Sequence, residues 1–251
     1  MIRLETDSIQ PEQRRIVRDA TQSMVGLEVI EETGNYILLQ DLLDSSELSI
    51  HNAITRMRLI SLTMLSDAVR SILETDHELA QDVIDRDDDV DRLWFMVSRV
   101  FRSVLRDPSA AAALGMSREE CFDYHSSARQ LERIADHAVK IATLAIDLDG
   151  IPPEISSALE ALQTDAREII EQAMNALLAE DGGEAVTLAN HARTSISDID
   201  DHTRLIDELI REMEHPTQAQ LLGLIVDSLS RTADYGGNIA ETALQKAAPK
   251  P

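Results

Sequence analysis

From residue 45 almost to the C-terminus, apolar residues recur at steps of three and four, the period of helices that bury one face. The period is interrupted at Asp107-Pro108, Ile151-Pro152-Pro153, Asp181-Gly182-Gly183 and His215-Pro216, and more softly at Thr75-Asp76. These breaks predict six helices, over residues 46–75, 78–106, 117–148, 154–180, 183–213 and 217–246. The first 44 residues follow another pattern. "MIRLET" alternates like a short strand, "SIQPEQRRIVRDATQSM" has helical spacing with Pro11 near its start, and "GLEVIEETGNYILLQDLL" reads as two strands around a Thr33-Gly34-Asn35 turn.

The six helices are better described as three used twice. A shift of 98 residues lays "LSRTADYGGNIA" (229–240) on "LERIADHAVKIA" (131–142), matching Leu, Arg, Ala, Asp, Ile and Ala. A shift of 109 pairs Asp89 with Asp198 and Asp91 with Asp200, and the difference is an extra stretch, "SAAAALGMSREE", between the second and third helices of the first half. The predicted architecture is mainly α: a small βαββ module at 1–44, then two tandem three-helix bundles at 45–150 and 151–251, with Pro152-Pro153 at their junction.

Two helices carry carboxylates where a bundle expects apolar side chains. The predicted seam of the second helix runs Val83, position 87, Val90, Trp94, Val97, Phe101 and Val104, and position 87 is Asp. Asp91 follows one turn later on its flank, whereas Asp85, Asp88 and Asp89 point away and are read as solvated. In the third helix Glu132 and Asp136 share a side with Ala128, Ala135, Val139 and Ile146. Four carboxylates can thus converge, and buried charge requires compensation. Arg129, Arg133 or Lys140 can pair with them, a groove can admit water and salt, or a cation can bind. An all-oxygen donor set suits hard ions, and these two helices carry no Glu-x-x-His pair of the ferritin-like di-iron kind. His125 and His137 lie nearby but are read as packing or surface residues. The second half retains Asp200 and Asp234, while Ser230 and Ile196 replace the counterparts of Glu132 and Asp87. Gly236-Gly237 is read as permitting close helix packing.

Composition narrows the function classes. With 46 acidic and 23 basic residues the formal charge is -23, which opposes direct nucleic-acid binding by this chain. Lysine is confined to Lys140, Lys246 and Lys250, and the remaining cations are arginines, a surface suited to concentrated salt. A halophilic source is therefore expected, and retention of the fold after dialysis into low salt would count against it. The single Cys121 forbids an internal disulfide, and no signal-peptide pattern or long apolar run is present. A cytoplasmic protein without membrane insertion is expected. No phosphate-cradling glycine loop, nucleophile elbow or Cys-His motif accompanies the carboxylates.

"ERIADHAVKIA" on a third helix, "RDDDVDRLW" on a second, and their repetition resemble the PhoU phosphate-uptake regulators over residues 46–246. "ERIAD" and "SRTAD" correspond to that family's E(D)xxxD motif. The resemblance implies a non-enzymatic regulator with protein partners, among them a phosphate transporter ATPase, a sensor or a transcription regulator, and it implies homodimerisation. It also implies iron, zinc or another divalent or trivalent metal held by Asp87, Asp91, Glu132 and Asp136 in the first repeat, with Asp200 and Asp234 in the second. The segment "QRRIVRDATQSMVGLEVIEETGNYILLQDLLDSSELSI" resembles the link between an AbrB-type DNA-binding domain and the helical repeats in archaeal PhoU-like proteins, here without that domain. A haloarchaeal PhoU-like protein is the resulting expectation. The alternative is a structural dimerisation module of a transcription regulator whose acids reflect salt adaptation and whose strands offer an edge for self-association. A metal-dependent hydrolase has least support, because no substrate-binding loop is present.

Overall fold

The computed structural model describes residues 2–6, 8–22, 27–41 and 50–248. The N-terminal module has β1 (Ile2–Glu5), α1 (Pro11–Gln22), β2 (Leu27–Glu32) and β3 (Tyr36–Asp41). Its three strands form an antiparallel sheet of order β1-β3-β2, with an irregularity between Val29 and Glu31. Thr33 closes the expected turn: its hydroxyl accepts from the backbone N–H of Tyr36 and donates to the Tyr36 carbonyl. Ile37 and Leu39 are buried. The predicted βαββ order is present, although residues 42–49, which include the expected start of the first long helix, lie outside the described residues.

The first helical unit comprises α2 (Ile50–Glu74), α3 (His77–Asp85), α4 (Asp87–Arg106), α5 (Pro108–Ala113) and α6 (Arg118–Ala145). The second comprises α7 (Pro153–Leu178), α8 (Gly182–Thr194), α9 (Ile196–Arg211) and α10 (Pro216–Ala247). Each unit is a three-helix bundle whose middle helix is broken once, which corrects two expectations of continuous helices over 78–106 and 183–213. The first break lies at Arg86, whose guanidinium reaches Asp67 of α2 at 2.7 Å and Asp82 of α3 at 2.9 Å. The second lies at Ser195. On α4 the buried residues are Val90, Leu93, Met96, Val97 and Val104, while Trp94 and Phe101, expected on the seam, are only partly buried.

Local chemistry fixes the other ends. Thr75 adopts a left-handed φ of 53°, and Asp76 caps α3 by accepting from the Leu79 N–H, which makes the soft break expected there. The extra stretch of the first half folds as α5 and a turn through Gly115 (φ 68°). A capping box then starts α6, with Ser117 accepting from the Glu120 N–H and the Glu120 carboxylate accepting from the Ser117 N–H.

One hydrophobic cluster runs through both units, with α10 packed on α7 and α6, and α2 packed on α6. The α6–α10 pairing is antiparallel: Gln130 meets Asn238, His137 meets Tyr235, and Lys140 meets Asp227. His137 and Tyr235 occupy equivalent positions of the two repeats, so the repeats face each other through their third helices.

Candidate functional site

The acidic face forms where α4 starts beside the middle of α6. Burial separates the aspartates of "DRDDDVD" as expected: Asp85, Asp88 and Asp89 are exposed, whereas Asp87 and Asp91 are half-buried. On α6 Glu132 is only 8 % exposed, while Asp136, one turn later, is exposed. Small neighbours make room for this glutamate, since Ala128 and Ala135 are fully buried beside it.

These carboxylates act on one another. Loss of water pushes Glu132 from 4.5 up to about 7, with Asp136 adding to the rise and Arg129 opposing it. Asp87 is pushed up to about 6 by desolvation, then by Asp91 and Asp136. Asp91 is raised by desolvation and Asp88, and Asp136 by desolvation and Asp91. Two oxygens remain without a hydrogen-bond partner although buried, Oδ1 of Asp87 and Oε2 of Glu132.

Of the three expected cations, one pairs within the face. The Arg129 guanidinium donates to Glu132 Oε1 at 2.6 Å and lies over the Trp94 ring, 5.4 Å from its centroid. Arg133 instead lies over Tyr235, and Lys140 reaches Asp227 of α10 at 3.9 Å. His125 is a packing residue, stacked on Phe101 at 4.3 Å, and desolvation, then Arg102 and Arg129, lower its pKa. His137 packs against Tyr235, and desolvation likewise lowers its pKa.

The donor set fits a hard cation in chemistry: carboxylate oxygens only, two of them orphaned and all four disposed to shed mutual repulsion. Among the described residues, however, no three His, Cys, Asp or Glu side chains are gathered closely enough to hold a metal ion. Asp87, Asp91, Glu132 and Asp136 therefore form an interacting acidic face whose side chains would have to draw together around an ion.

The second repeat brings Asp200 and Asp234 to an open depression of about 630 Å³, with Arg193, Arg231 and Glu241. Both aspartates are exposed, and Arg231 lies 3.5 Å from Asp234. Ile196 occupies the position of Asp87 and presses on α10 at Gly237. A Cβ there would lie 2.7 Å from Ile196 Cδ1. Gly236 lets α7 approach in the same way, with Ile169 Cγ2 only 2.9 Å from its missing Cβ. Both glycines thus serve close packing, as expected. Sequence reasoning did not find a row of polar bonds joining the repeats across α2 and α7, in which Arg167 donates to Ser66 and Arg58 to Asn175. These are ordinary polar residues at no special spacing.

Residues 54–145 match the family model of the PhoU domain. Over 186 residues, 72% of this chain, the sequence is 27% identical to the phosphate-specific transport system accessory protein PhoU homolog of Pseudomonas aeruginosa, of which 74% is covered. The homolog of the same name from Pseudomonas putida is 28% identical over 186 residues, covering 72% of this chain and 70% of that one. In fold the chain is similar to the crystal structure of PhoU from Pseudomonas aeruginosa, with a TM-score of 0.68 and 23% identity over 79% of this chain and 96% of that one. It is similar also to the phosphate transport system regulatory protein PhoU from Streptococcus pneumoniae, with a TM-score of 0.66 and 18% identity over 78% of this chain and 91% of that one. The chain thus carries the sequence signature of the PhoU domain in its first three-helix unit, and its fold is that of PhoU structures over most of its length.

Proposed function

We propose that this protein regulates phosphate uptake through contacts with other proteins rather than by catalysis. The observation that carries the reading is the likeness to phosphate transport accessory proteins over 72% of the chain. The molecule offers helical faces for docking, and none of its described helices is long and apolar enough to cross a membrane. Deleting the gene should alter phosphate uptake and the transcripts that respond to phosphate starvation. Unchanged uptake and transcripts would remove the reading.

Within this role the acidic face is the cation-dependent element. Asp87, Asp91, Glu132 and Asp136 would hold iron, zinc or another divalent or trivalent metal, which would supply the positive charge that the orphaned oxygens of Asp87 and Glu132 lack. Asp200 and Asp234 form the weaker counterpart, because Ile196 and Ser230 remove two donors there. Elemental analysis should find metal in the wild type and less in the double variant Asp87→Asn, Glu132→Gln. Equal metal content in the two, or none in either, would leave these acids as a solvated docking surface.

A further inference from the structure

The most unusual surface of the molecule lies along the outside of α4, beyond its acidic start. The chain carries a net -23, yet residues 92–106, "RLWFMVSRVFRSVLR", hold four arginines and no carboxylate. All three phenylalanines and the single tryptophan of the chain fall on α4 or the facing start of α6. Three large apolar side chains of this region stand in solvent: Phe95 is 58% exposed, Leu105 62% and Phe122 54%. Among the described residues α4 packs chiefly on α2, α3, α5 and α6, and Phe95, Arg99, Arg102 and Arg106 on its other side are exposed.

The spacing says what shape fits. Arg92, Phe95, Arg99, Arg102 and Arg106 follow one another at steps of three, four, three and four, the seam of a helix that pairs with another helix. This seam lies opposite the one that α4 already buries at Val90, Leu93, Val97 and Val104. At 1.5 Å per residue it runs about 21 Å, four turns. A basic last turn is ordinary for any helix, because it complements the helix dipole, and that accounts for Arg106. Arg92, in the second turn, has Asp89 one turn back at 3.7 Å, but neither the dipole nor that pair accounts for Arg99 and Arg102 in mid-helix, or for a phenylalanine left in water beside them.

We propose that this seam of α4 is a docking site for an acidic amphipathic helix of a partner protein, whose carboxylates pair with the arginines and whose apolar side chains cover Phe95. An extended anionic surface is a poorer occupant. A lipid plane or a duplex would also approach the exposed Asp88 and Asp89 and the carboxylates that dominate the rest of the chain, whereas a single helix about 10 Å wide, seated over Phe95 to Arg106, meets only the basic part of the seam. The second repeat offers no equivalent. Residues 201–215, the counterparts of 92–106, hold five carboxylates and two arginines. This site is separate from the carboxylate face, so its failure would leave the role in phosphate uptake untouched.

The test uses the full chain and a fluorescein-labelled peptide of about three heptads with Leu at the a and d positions and Glu elsewhere, read by fluorescence anisotropy at about 0.15 M salt. Saturable binding is expected, weakened at least about tenfold when Gln replaces the peptide's Glu and at least about tenfold in Arg99→Glu, Arg102→Glu protein. A Lys-Leu peptide should bind that variant better than the wild type. Phe95→Ser, which changes a side chain already in solvent, gives a second variant of undisturbed fold and should also weaken binding. Equal peptide binding by wild type and variants overturns the proposal, as does no binding at all. Binding to phosphatidylglycerol vesicles that the variants lose, in place of peptide binding, would make the occupant a membrane. Loss of self-association in the variants, by sedimentation velocity, would make it a second copy of this chain.

Discussion

In the first repeat the junction of the broken middle helix with the third helix is polar: Glu132 is buried there, Asp87 and Asp91 are half-buried, and two carboxylate oxygens lack partners. In the second repeat the same junction is closed by Ile196 against Gly237, and its aspartates stand in solvent. The backbone device is shared, a break just before the residue that enters the junction, at Arg86 in one repeat and Ser195 in the other. The two therefore differ in side-chain chemistry on a common frame. One junction stores electrostatic repulsion that a proton or cation relieves, and the other is relieved already by an apolar contact.

The largest test of this contrast addresses the packing that the second junction relies on. Gly236→Val should destabilise by roughly 2–3 kcal/mol in urea unfolding, because a Cβ there meets Ile169 and the Ile170 backbone within 3.3 Å. Gly237→Ala should change stability by less than about 1 kcal/mol, since only the tip of Ile196 must move and helix propensity improves.

Next in size is the pH dependence of the first junction. Glu132 is raised in the folded state, from 4.5 to about 7, so folding favours its protonated form. Its unfavourable contribution is absent below the unfolded value, grows as the pH rises toward 7, and is complete above it. At about 1.4 kcal/mol per pKa unit, and allowing for the lost bond to Arg129, Glu132→Gln should stabilise by roughly 2 kcal/mol at pH 8 and by almost nothing near pH 4.5. A urea midpoint difference that does not vary with pH would contradict a buried, electrostatically opposed glutamate.

Ile196→Asp makes the second junction resemble the first. It should cost about 1 kcal/mol at low ionic strength, by removing the contact over Gly237 and adding a charge near Asp200 and Asp234. The loss should shrink when a divalent cation is added, and a loss indifferent to cations would mean that the second frame cannot gather its acids. The smallest effect belongs to Arg231→Gln. Its ion pair with Asp234 is exposed, and its removal should shift stability by less than about 0.5 kcal/mol.

The arithmetic of three- and four-residue steps placed the long helices within a few residues of their observed ends, because Pro, Gly and capping residues act over one turn. The repeat was legible for the same reason: matched residues at a fixed shift need no tertiary information. What failed was continuity. Nothing local in "IDRDDDVD" stops a helix, and the break at Arg86 arises where its guanidinium is held by Asp67, a residue of another helix. Trp94 and Phe101 lie at the margin of the buried face rather than within it.

The candidate site divides along the same line. The sequence by itself determined which helix faces carry Asp87, Asp91, Glu132, Asp136, Asp200 and Asp234, since side-chain direction on a helix follows from spacing. It also determined the acid-free run of arginines on α4, since composition needs no fold. Only the tertiary structure decided that Glu132 is buried while Asp136 is exposed, that Arg129 and not Lys140 answers the charge, and that Ile196 fills the second junction. Those outcomes depend on how closely one helix approaches another. That distance is set by the packing of Ala128, Ala135, Gly236 and Gly237 against side chains far away in the chain, and no local pattern encodes it.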